Sequence, residues 1–379
     1  MSDTSDQEQI VAEAKKFAAE EIRPFAADFE EQAAIPKDLI DKMAQKGYLS
    51  ASFPKEWGGL GLDPVYYGLL TEEIGKACAS TRGLITVHTS LVGEAIVRWG
   101  SREQKEKWLP LMTSGKKIAC FALTEPLVGT DARSVQTTYR KEGAKYIING
   151  SKKWITCGCI ADYFLVVAGG EKGIGAFLVE REFGGITTTP IKGLLAGRAA
   201  HIAEIEFEDV EVPAENIIGK EGSGFTYVVN TALDHGRYSI AWGGIGIAGE
   251  ALDNMVTYSR QRSQFGRKLY KHQLIQGIIG DAVTKTHAGR ALCLRAGEMR
   301  RDGHPDAVME TTIAKYFTSK IAMEITIDAV QVHGGNGCYN RYPVERLFRE
   351  AKILEIIEGT SQVQQEIISS FGLRRYYRV

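Results

Sequence analysis

The hydrophobic positions along this chain change their period twice. Up to about residue 116 they recur at helical spacing. Over 9–31, Ile10, Val11, Ala14, Phe17 and Ala18 fall on one side of a helix. Ile35-Pro36-Lys37-Asp38 opens a further helix, with Pro36 near its first turn, where the missing N–H has no helical partner to lose. Trp57-Gly58-Gly59-Leu60-Gly61 interrupts as a loop, and helical spacing resumes over 68–76 and 91–99. From about 117 to 221 short β-forming runs take over, at 118–123, 146–148, 153–156, 163–168, 176–179 and 203–207. Asn149-Gly150 stands between two of these runs and predicts a type I′ hairpin. Strands at regular spacing with Gly turns predict a small barrel or sandwich. Beyond about 222 apolar stripes return. One runs through Phe225, Val228, Val229, Ala232 and Leu233. A second runs through Leu274, Ile275, Ile278, Ile279, Ala282 and Val283. A third runs through Ile313, Ala314, Phe317, Ile321, Ala322 and Ile325. Long stripes of this kind suit an antiparallel bundle. The expected domains are 1–116 helical, 117–221 β, and 222–379 a helical bundle.

Composition narrows the class. At 379 residues the chain is long enough for two or three packed units. A formal net charge of −1 provides no global field for nucleic acid or an anionic membrane. No run reaches the apolar length of a membrane span, and the segment from Met1 to Asp6 is polar and acidic, unlike a secretory signal. The cysteines are scattered. Cys157-Gly158-Cys159 lacks both a second zinc half-site and the C-x-x-C redox spacing, so it reads as reduced thiols of a cytoplasmic protein.

Five segments carry candidate chemistry. In Glu355-Ile356-Ile357-Glu358-Gly359-Thr360-Ser361-Gln362, Glu358 follows two isoleucines in an apolar, helical-looking stretch. Loss of water there raises a carboxylate's pKa and poises it as a base. In Phe121-Ala122-Leu123-Thr124-Glu125-Pro126-Leu127-Val128-Gly129-Thr130-Asp131 a strand runs into a turn. Gly129 there admits close backbone approach, and the hydroxyls of Thr124 and Thr130 can bond a polar heterocycle edge. Lys153-Trp154-Ile155-Thr156 reads as a strand with Trp154 and Thr156 on one face, either a flavin wall or a core tryptophan. Arg262-Ser263-Gln264-Phe265-Gly266, followed by His272-Gln273, offers a cation and an aromatic surface, with Gly266 as a helix C-cap. Gln331-Val332-His333-Gly334-Gly335-Asn336-Gly337 is a glycine loop of phosphate-cradling type. It follows a helix, so it is not a Rossmann fingerprint, and His333 reads as a structural hydrogen-bonding residue.

Taken in order, these segments resemble the acyl-CoA dehydrogenase flavoproteins over essentially the whole chain. The resemblance implies an α+β fold: an N-terminal helical domain, a central small β-barrel and a C-terminal four-helix bundle. It implies that FAD is held by Phe121, Leu123, Thr124, Gly129, Thr130, Trp154, Ile155, Thr156, Arg262, Phe265, Gln273, Gln331, Gly334, Gly335, Thr360 and Gln362. In the family the segments of Arg262 and Gln331 serve a neighbouring subunit's flavin, which implies a homotetramer or at least a dimer. Glu358 is the implied α-proton base, and its own N–H an implied donor to the thioester oxygen. Arg82, Thr130, Asp234 and Arg237 are the implied substrate contacts.

Two branches of the family compete. Ser80-Thr81-Arg82-Gly83 and Gly236-Arg237-Tyr238-Ser239-Ile240-Ala241-Trp242-Gly243 resemble glutaryl-CoA dehydrogenases, in which an arginine matching Arg82 holds a distal carboxylate. Ile357 departs from the tyrosine those enzymes carry before the base. Glu355-Ile356-Ile357-Glu358-Gly359 and Ala196-Gly197-Arg198-Ala199-Ala200 resemble relatives that oxidise acyl groups on an acyl-carrier protein for polyketide and nonribosomal peptide extender units. The favoured expectation is the carrier-protein branch. The alternatives are a short-chain or dicarboxylyl-CoA dehydrogenase working with an electron-transfer flavoprotein, and a catalytically silent flavin-binding relative. Arg82 is expected at the acyl end of the pocket, or else at a surface helix end.

Overall fold

The computed structural model describes residues 4–377, so the first three positions of the acidic N-terminal segment lie outside it. Helix α1 (Thr4–Phe17) continues through a π turn at Ala18–Ile22 and a 3-10 turn at Arg23–Phe25 into α2 (Ala26–Gln32). Pro24 explains the change of hydrogen-bond pattern, because it has no N–H to donate. Helix α3 (Lys37–Gln45) starts directly after the extended Pro36. Helix α4 (Pro64–Ala77) is capped by Asp63, which accepts from the amides of Val65 and Tyr66. Helix α5 (Ala79–Ile85) runs through a π segment, Thr86–Gly93, into α6 (Glu94–Trp99). A Ser101–Gln104 capping box starts α7 (Arg102–Thr113).

The sheet follows: β1 (Ala119–Ala122), β2 (Thr138–Glu142), β3 (Lys145–Ile155), β4 (Tyr163–Gly170), β5 (Gly173–Glu180), β6 (Ile186–Pro190) and β7 (Ala203–Pro213). Their order is β1-β4-β2-β3-β7-β6, with β5 added on β4. The pairs β1–β4 and β2–β4 are parallel and the others antiparallel. The hairpin expected at Asn149-Gly150 does not form. Those residues lie inside one continuous strand, β3, where its register against β7 shifts between Ile148 and Gly150. Gly150 has φ 142, and a Cβ there would sit 2.6 Å from the Thr137 Cα. The dipeptide therefore marks a bulge and a close strand approach, the other use of glycine in a strand. The hairpin lies instead between β2 and β3, at Gly143, φ 58. A second register shift, between Lys152 and Ile155, places Trp154 at φ 62. This breaks the simple alternation expected to set Trp154 and Thr156 on one face.

A π turn at Phe225–Val229 leads into α8 (Asn230–Gln261). A short hairpin follows, β8 (Ser263–Gln264) and β9 (Arg267–Lys268), then α9 (Gln273–Arg301), α10 (Ala307–His333), α11 (Pro343–Leu354) and α12 (Ser361–Arg375). Gly266, expected as a helix C-cap, is at the hairpin tip with Phe265, at φ 73 and φ 50. Helix α8 already ends at Gln261, with Arg262 extended. Helix α8 packs closely on its neighbours: a Cβ on Gly244 would lie 2.9 Å from Thr318 of α10, and one on Gly68 of α4 only 2.1 Å from the Trp242 Nε1. The α10 stripe is core, with Ala314, Ile321, Ala322 and Ile325 buried. The α9 stripe is covered only in part: Ala282 is buried and Ile275, Ile278 and Ile279 pack half-buried on the core, but Leu274 is 85% exposed. Periodicity marks a helix's apolar face without saying whether its own chain covers that face.

Candidate active site

The segment around Glu358, expected to be helical, is a tight connection between α11 and α12. Thr360 caps α12 by accepting from the Val363 amide. Immediately before it, Glu358 has φ 54 and Gly359 φ 87. A non-glycine residue in the left-handed region costs about 1–3 kcal/mol and persists only where neighbours hold it. Here the neighbours are explicit. The Glu358 carbonyl accepts from Arg237 Nε at 3.3 Å and from Gln364 Nε2 at 3.2 Å. The Gly359 carbonyl accepts from Lys315 Nζ at 2.7 Å and from Gln364 Nε2 at 3.2 Å. Among the described residues the Glu358 N–H finds no acceptor.

The Glu358 carboxyl points at α8. Its Oε2 is out of contact with water and has no hydrogen-bond partner. A Cβ on Gly236 would lie 2.5 Å from that oxygen and 2.7 Å from Leu91 Cδ2, so the missing side chain makes the space the carboxyl fills. Burial raises the Glu358 pKa to about 7, while Arg237, Lys315 and Arg82 pull it back down. The isoleucines before it are not the source of this burial, because Ile356 is 52% exposed.

Arg82, on α5, is 2% exposed, which rules out the surface helix-end reading. One guanidinium nitrogen donates to the Thr86 hydroxyl at 2.8 Å, and that hydroxyl is 2.7 Å from Ser239 Oγ. Its Nε has no partner. Gly243 lets the guanidinium lie against α8, since a Cβ there would be 2.7 Å from Nε. Tyr67 and Ser90 form another buried hydroxyl pair, at 2.6 Å. Burial pulls the Arg82 pKa down to about 10, with Tyr67, Glu350 and Glu358 opposing. Arg237 is likewise lowered by burial, against the attraction of Glu358 and Asp234. Asp234 itself is ion-paired with Arg300.

The other expected residues fall into two groups. At the sheet, Phe121 and Leu123 are buried, Thr124 is half-buried, and Gly129 and Thr130 are exposed on the turn beyond. This turn meets the end of β3, where the Lys153 amide donates to the Thr124 carbonyl at 2.9 Å. Trp154 is 52% exposed, Ile155 is buried and Thr156 half-buried. In the helical part, Arg262, Gln264, Tyr258, Gly334, Gly335 and Asn336 help line one cleft of about 390 Å³. Two motifs some seventy residues apart in sequence thus share a site. Its lining holds a guanidinium, side-chain amides and a glycine bend but no carboxylate, a donor set that fits a phosphate-bearing cofactor. Gln331 is exposed beside it, Phe265 is 94% exposed at the hairpin tip, and Gln273 and Gln362 are exposed at helix starts. His333 stacks on Tyr258 and its Nδ1 is 2.7 Å from the Ala329 carbonyl, in keeping with a structural role.

Sequence reading missed four contributors: Gly236, Lys315, Gln364 and the Lys152–Glu125 pair. Lys315 could have been found, because it interrupts the apolar stripe of α10 and a charge there needs a reason. Lys152 is fully buried, and its Nζ bonds Glu125 Oε1 at 2.7 Å and the carbonyls of Leu123 and Val167. Glu125 also accepts from the amides of Gln136 and Thr137. Burial alone would raise the Glu125 pKa, but Lys152 and these donors outweigh it and hold it low. The pair therefore fixes the turn that starts at Thr124. Lys152→Met should leave Glu125 buried and unpaired, costing about 3–5 kcal/mol in urea unfolding. It should also loosen flavin retention, read by absorbance after gel filtration. Unchanged stability and flavin content would remove the pair from this role.

Comparison with known proteins gives the setting. Models of the acyl-CoA dehydrogenase N-terminal, middle and C-terminal domains match residues 4–116, 120–210 and 222–373. The chain belongs to the acyl-CoA dehydrogenase family. Its helical, curled-sheet and helical parts are that family's fold, and as a member it is an FAD-dependent oxidoreductase. It is 40% identical over 371 residues to the short-chain-specific acyl-CoA dehydrogenase of Clostridium acetobutylicum, covering 97% of each chain. It superposes on butyryl-CoA dehydrogenase from Megasphaera elsdenii with TM-score 0.94 at 36% identity, over 99% of this chain and all of that one. A chain solved in work on the electron transferring flavoprotein of Acidaminococcus fermentans matches at TM-score 0.95 and 40% identity, covering 99% of each chain. FkbI, of methoxymalonyl extender-unit biosynthesis, is more distant, at 29% identity and TM-score 0.88 over 96% of this chain and 99% of that one. Relationship within the acyl-CoA dehydrogenase family therefore favours the CoA-linked branch over the carrier-protein branch expected from the sequence. Among the described residues no helix is long and apolar enough to cross a membrane.

Proposed function

We propose that this chain is a short-chain acyl-CoA dehydrogenase that oxidises the α,β-bond of a small acyl thioester and passes the electrons to an electron-transfer flavoprotein. The observation that carries the reading is the Glu358 carboxyl, buried against Gly236 with one oxygen unpartnered. Its pKa of about 7 leaves it a useful fraction ionised near neutrality. Glu358 takes a proton from the α-carbon. Its backbone N–H, which finds no acceptor among the described residues, would donate to the thioester oxygen, where negative charge grows as the proton leaves. FAD, when bound, supplies the acceptor for the β-hydrogen and its electron pair. The turn from Thr124 to Thr130, with Trp154 and Thr156, would hold the ring, and the cleft of Arg262, Gly334 and Gly335 a phosphate-bearing portion. Anaerobic titration tests the branch: butyryl-CoA is expected to bleach the flavin, and reduction only by a carrier-protein thioester would restore the carrier-protein reading.

Arg82 bears on the acyl group. A buried guanidinium bonded to a single hydroxyl, that of Thr86, and lacking a carboxylate partner favours a short acyl end, polar or carboxylated. A long aliphatic chain packed there would have to desolvate the charge further, at a cost of roughly several kcal/mol. Butyryl, hydroxyacyl or glutaryl thioesters should be turned over, and octanoyl thioesters should not. Arg82→Ala should lose the preference. Unchanged selectivity in that variant would take Arg82 out of the substrate site.

The exposed apolar side chains of α9 favour assembly through the helical part. Light scattering on the flavin-loaded protein is expected to give a dimer or tetramer, and a flavin-loaded monomer would count against the shared-flavin arrangement.

A further inference from the structure

Lys315 takes no chemical step in the proposed reaction, yet it is fully buried within α10. A lysine there needs an acceptor for its donors and an opposite charge for its charge. Its Nζ donates at 2.7 Å to the Gly359 carbonyl, one residue beyond the base. Gln364, also fully buried and one turn into α12, donates its amide to both the Glu358 and the Gly359 carbonyls at 3.2 Å. Arg237 adds a third donor, from α8, to the Glu358 carbonyl. Three separate helices thus grip two successive peptide groups at the only place in the described chain where a left-handed glutamate is followed by a left-handed glycine. Without such a grip the two residues would relax toward ordinary backbone geometry, because the strained conformation has no support of its own. The carboxyl would then swing away from the space at Gly236.

We propose that Lys315 and Gln364 form a clamp that positions the catalytic base, with Gln364 fixing the turn and Lys315 both fixing the turn and supplying the positive charge that keeps Glu358 ionisable. The proposal rests on Glu358 being the base. The charged groups that face its carboxyl are Arg237 on α8, Lys315 on α10 and Arg82 on α5, all cationic. Those facing Lys315 are Glu358, Arg237 and Glu355. The sign follows. Removing the Lys315 charge takes away a stabilising influence on the carboxylate, so Glu358 should hold its proton to higher pH. Lys315 is itself lowered by burial to about 8, above the value for Glu358, so it carries its charge as Glu358 begins to ionise. Gln364 carries no charge, so its loss should disturb geometry without moving that titration.

The test separates proton removal from electron transfer. Acetyl-CoA has an α-hydrogen but no β-hydrogen. The flavin-loaded protein in deuterium oxide can therefore break only the α C–H bond, move the proton to the Glu358 carboxyl, exchange it with solvent and return deuterium to the same carbon. Exchange is followed by mass spectrometry across pH 5.5–9. Glu358→Gln should abolish exchange, and if it does not, the base assignment fails and the clamp with it. With that control in place, Lys315→Met should lower the plateau rate by at least roughly tenfold and move the acid limb upward by about half a pH unit or more. Gln364→Leu should lower the plateau with the limb unmoved. Lys315→Gln, which keeps an amide donor without the charge, should recover part of the plateau but not the limb, and serves if the methionine variant does not fold. An acid limb at the wild-type position in both folded Lys315 variants, with exchange still dependent on Glu358, would overturn the proposal while leaving the base in place.

Discussion

Glu358→Gln is expected to retain FAD and bind thioester, yet reduce its flavin at least roughly a hundredfold more slowly, the usual scale for losing a positioned base. The amide keeps the size and the hydrogen-bonding capacity of the carboxyl and removes only the basic lone pair. Stopped-flow flavin bleaching under anaerobic conditions measures it, and a near-normal rate would place the base elsewhere. The same substitution has a signature in stability. The folded pKa of Glu358 is raised to about 7 from an ordinary carboxylate value, chiefly by burial. A carboxyl with a raised folded pKa stabilises the fold less as pH climbs from the unfolded value through the folded one, because ionisation then occurs in a dry site. Above about pH 7 the wild type carries that penalty and the glutamine variant does not. The variant should therefore melt higher than wild type at pH 8, with the gap closing toward pH 4.5. Wild-type activity should run the other way, rising through pH 7 as the base ionises.

Gly236→Ala is expected to do comparable damage without replacing a reactive group. The new methyl would lie 2.5 Å from the Glu358 Oε2 and 2.7 Å from Leu91 Cδ2, closer than real side chains approach. The carboxyl is the free end of a flexible side chain, so it yields before the α8 backbone does. A displacement of about 1 Å from the reacting position costs on the order of a hundredfold in rate. The expected result is a folded, yellow protein with a melting temperature near wild type and a flavin-reduction rate down by about two orders of magnitude. A large loss of stability would mean that Leu91 and α8 had moved instead. Wild-type kinetics would mean that the carboxyl does not need the space.

Much of this was legible in the chain itself. Periodicity separated the helical regions from the β region because a buried face repeats every 3.6 residues in a helix and every second residue in a strand. Glycine was read less well, because one residue type serves several backbone needs. Gly150 marks a bulge where a turn was expected, and Gly266 turns a hairpin where a helix end was expected. Both sites are glycine for a conformational reason that local sequence could sense but not place.

The candidate site divides along the same line. Residue order marked Glu358 and the Arg262 and Gly334–Gly335 segments, because a carboxylate in an apolar stretch, a cation beside an aromatic and a glycine loop are chemically conspicuous, whereas Arg82 came into view only through the family resemblance. Sequence could not say that Glu358 owes its burial to a missing side chain at Gly236, or that Lys315 and Gln364 grip its turn. It also could not say that Lys152 and Glu125 pair beneath the Thr124 turn, or that the start of the α9 stripe, at Leu274, is left exposed. Each of these depends on contacts between segments distant in the chain, and desolvation, charge attraction and steric exclusion act through space at a few ångströms. Local pattern thus determined which elements form and which groups can react, and only the packing of α8, α10 and α12 around one strained turn decided the pKa and the aim of the base.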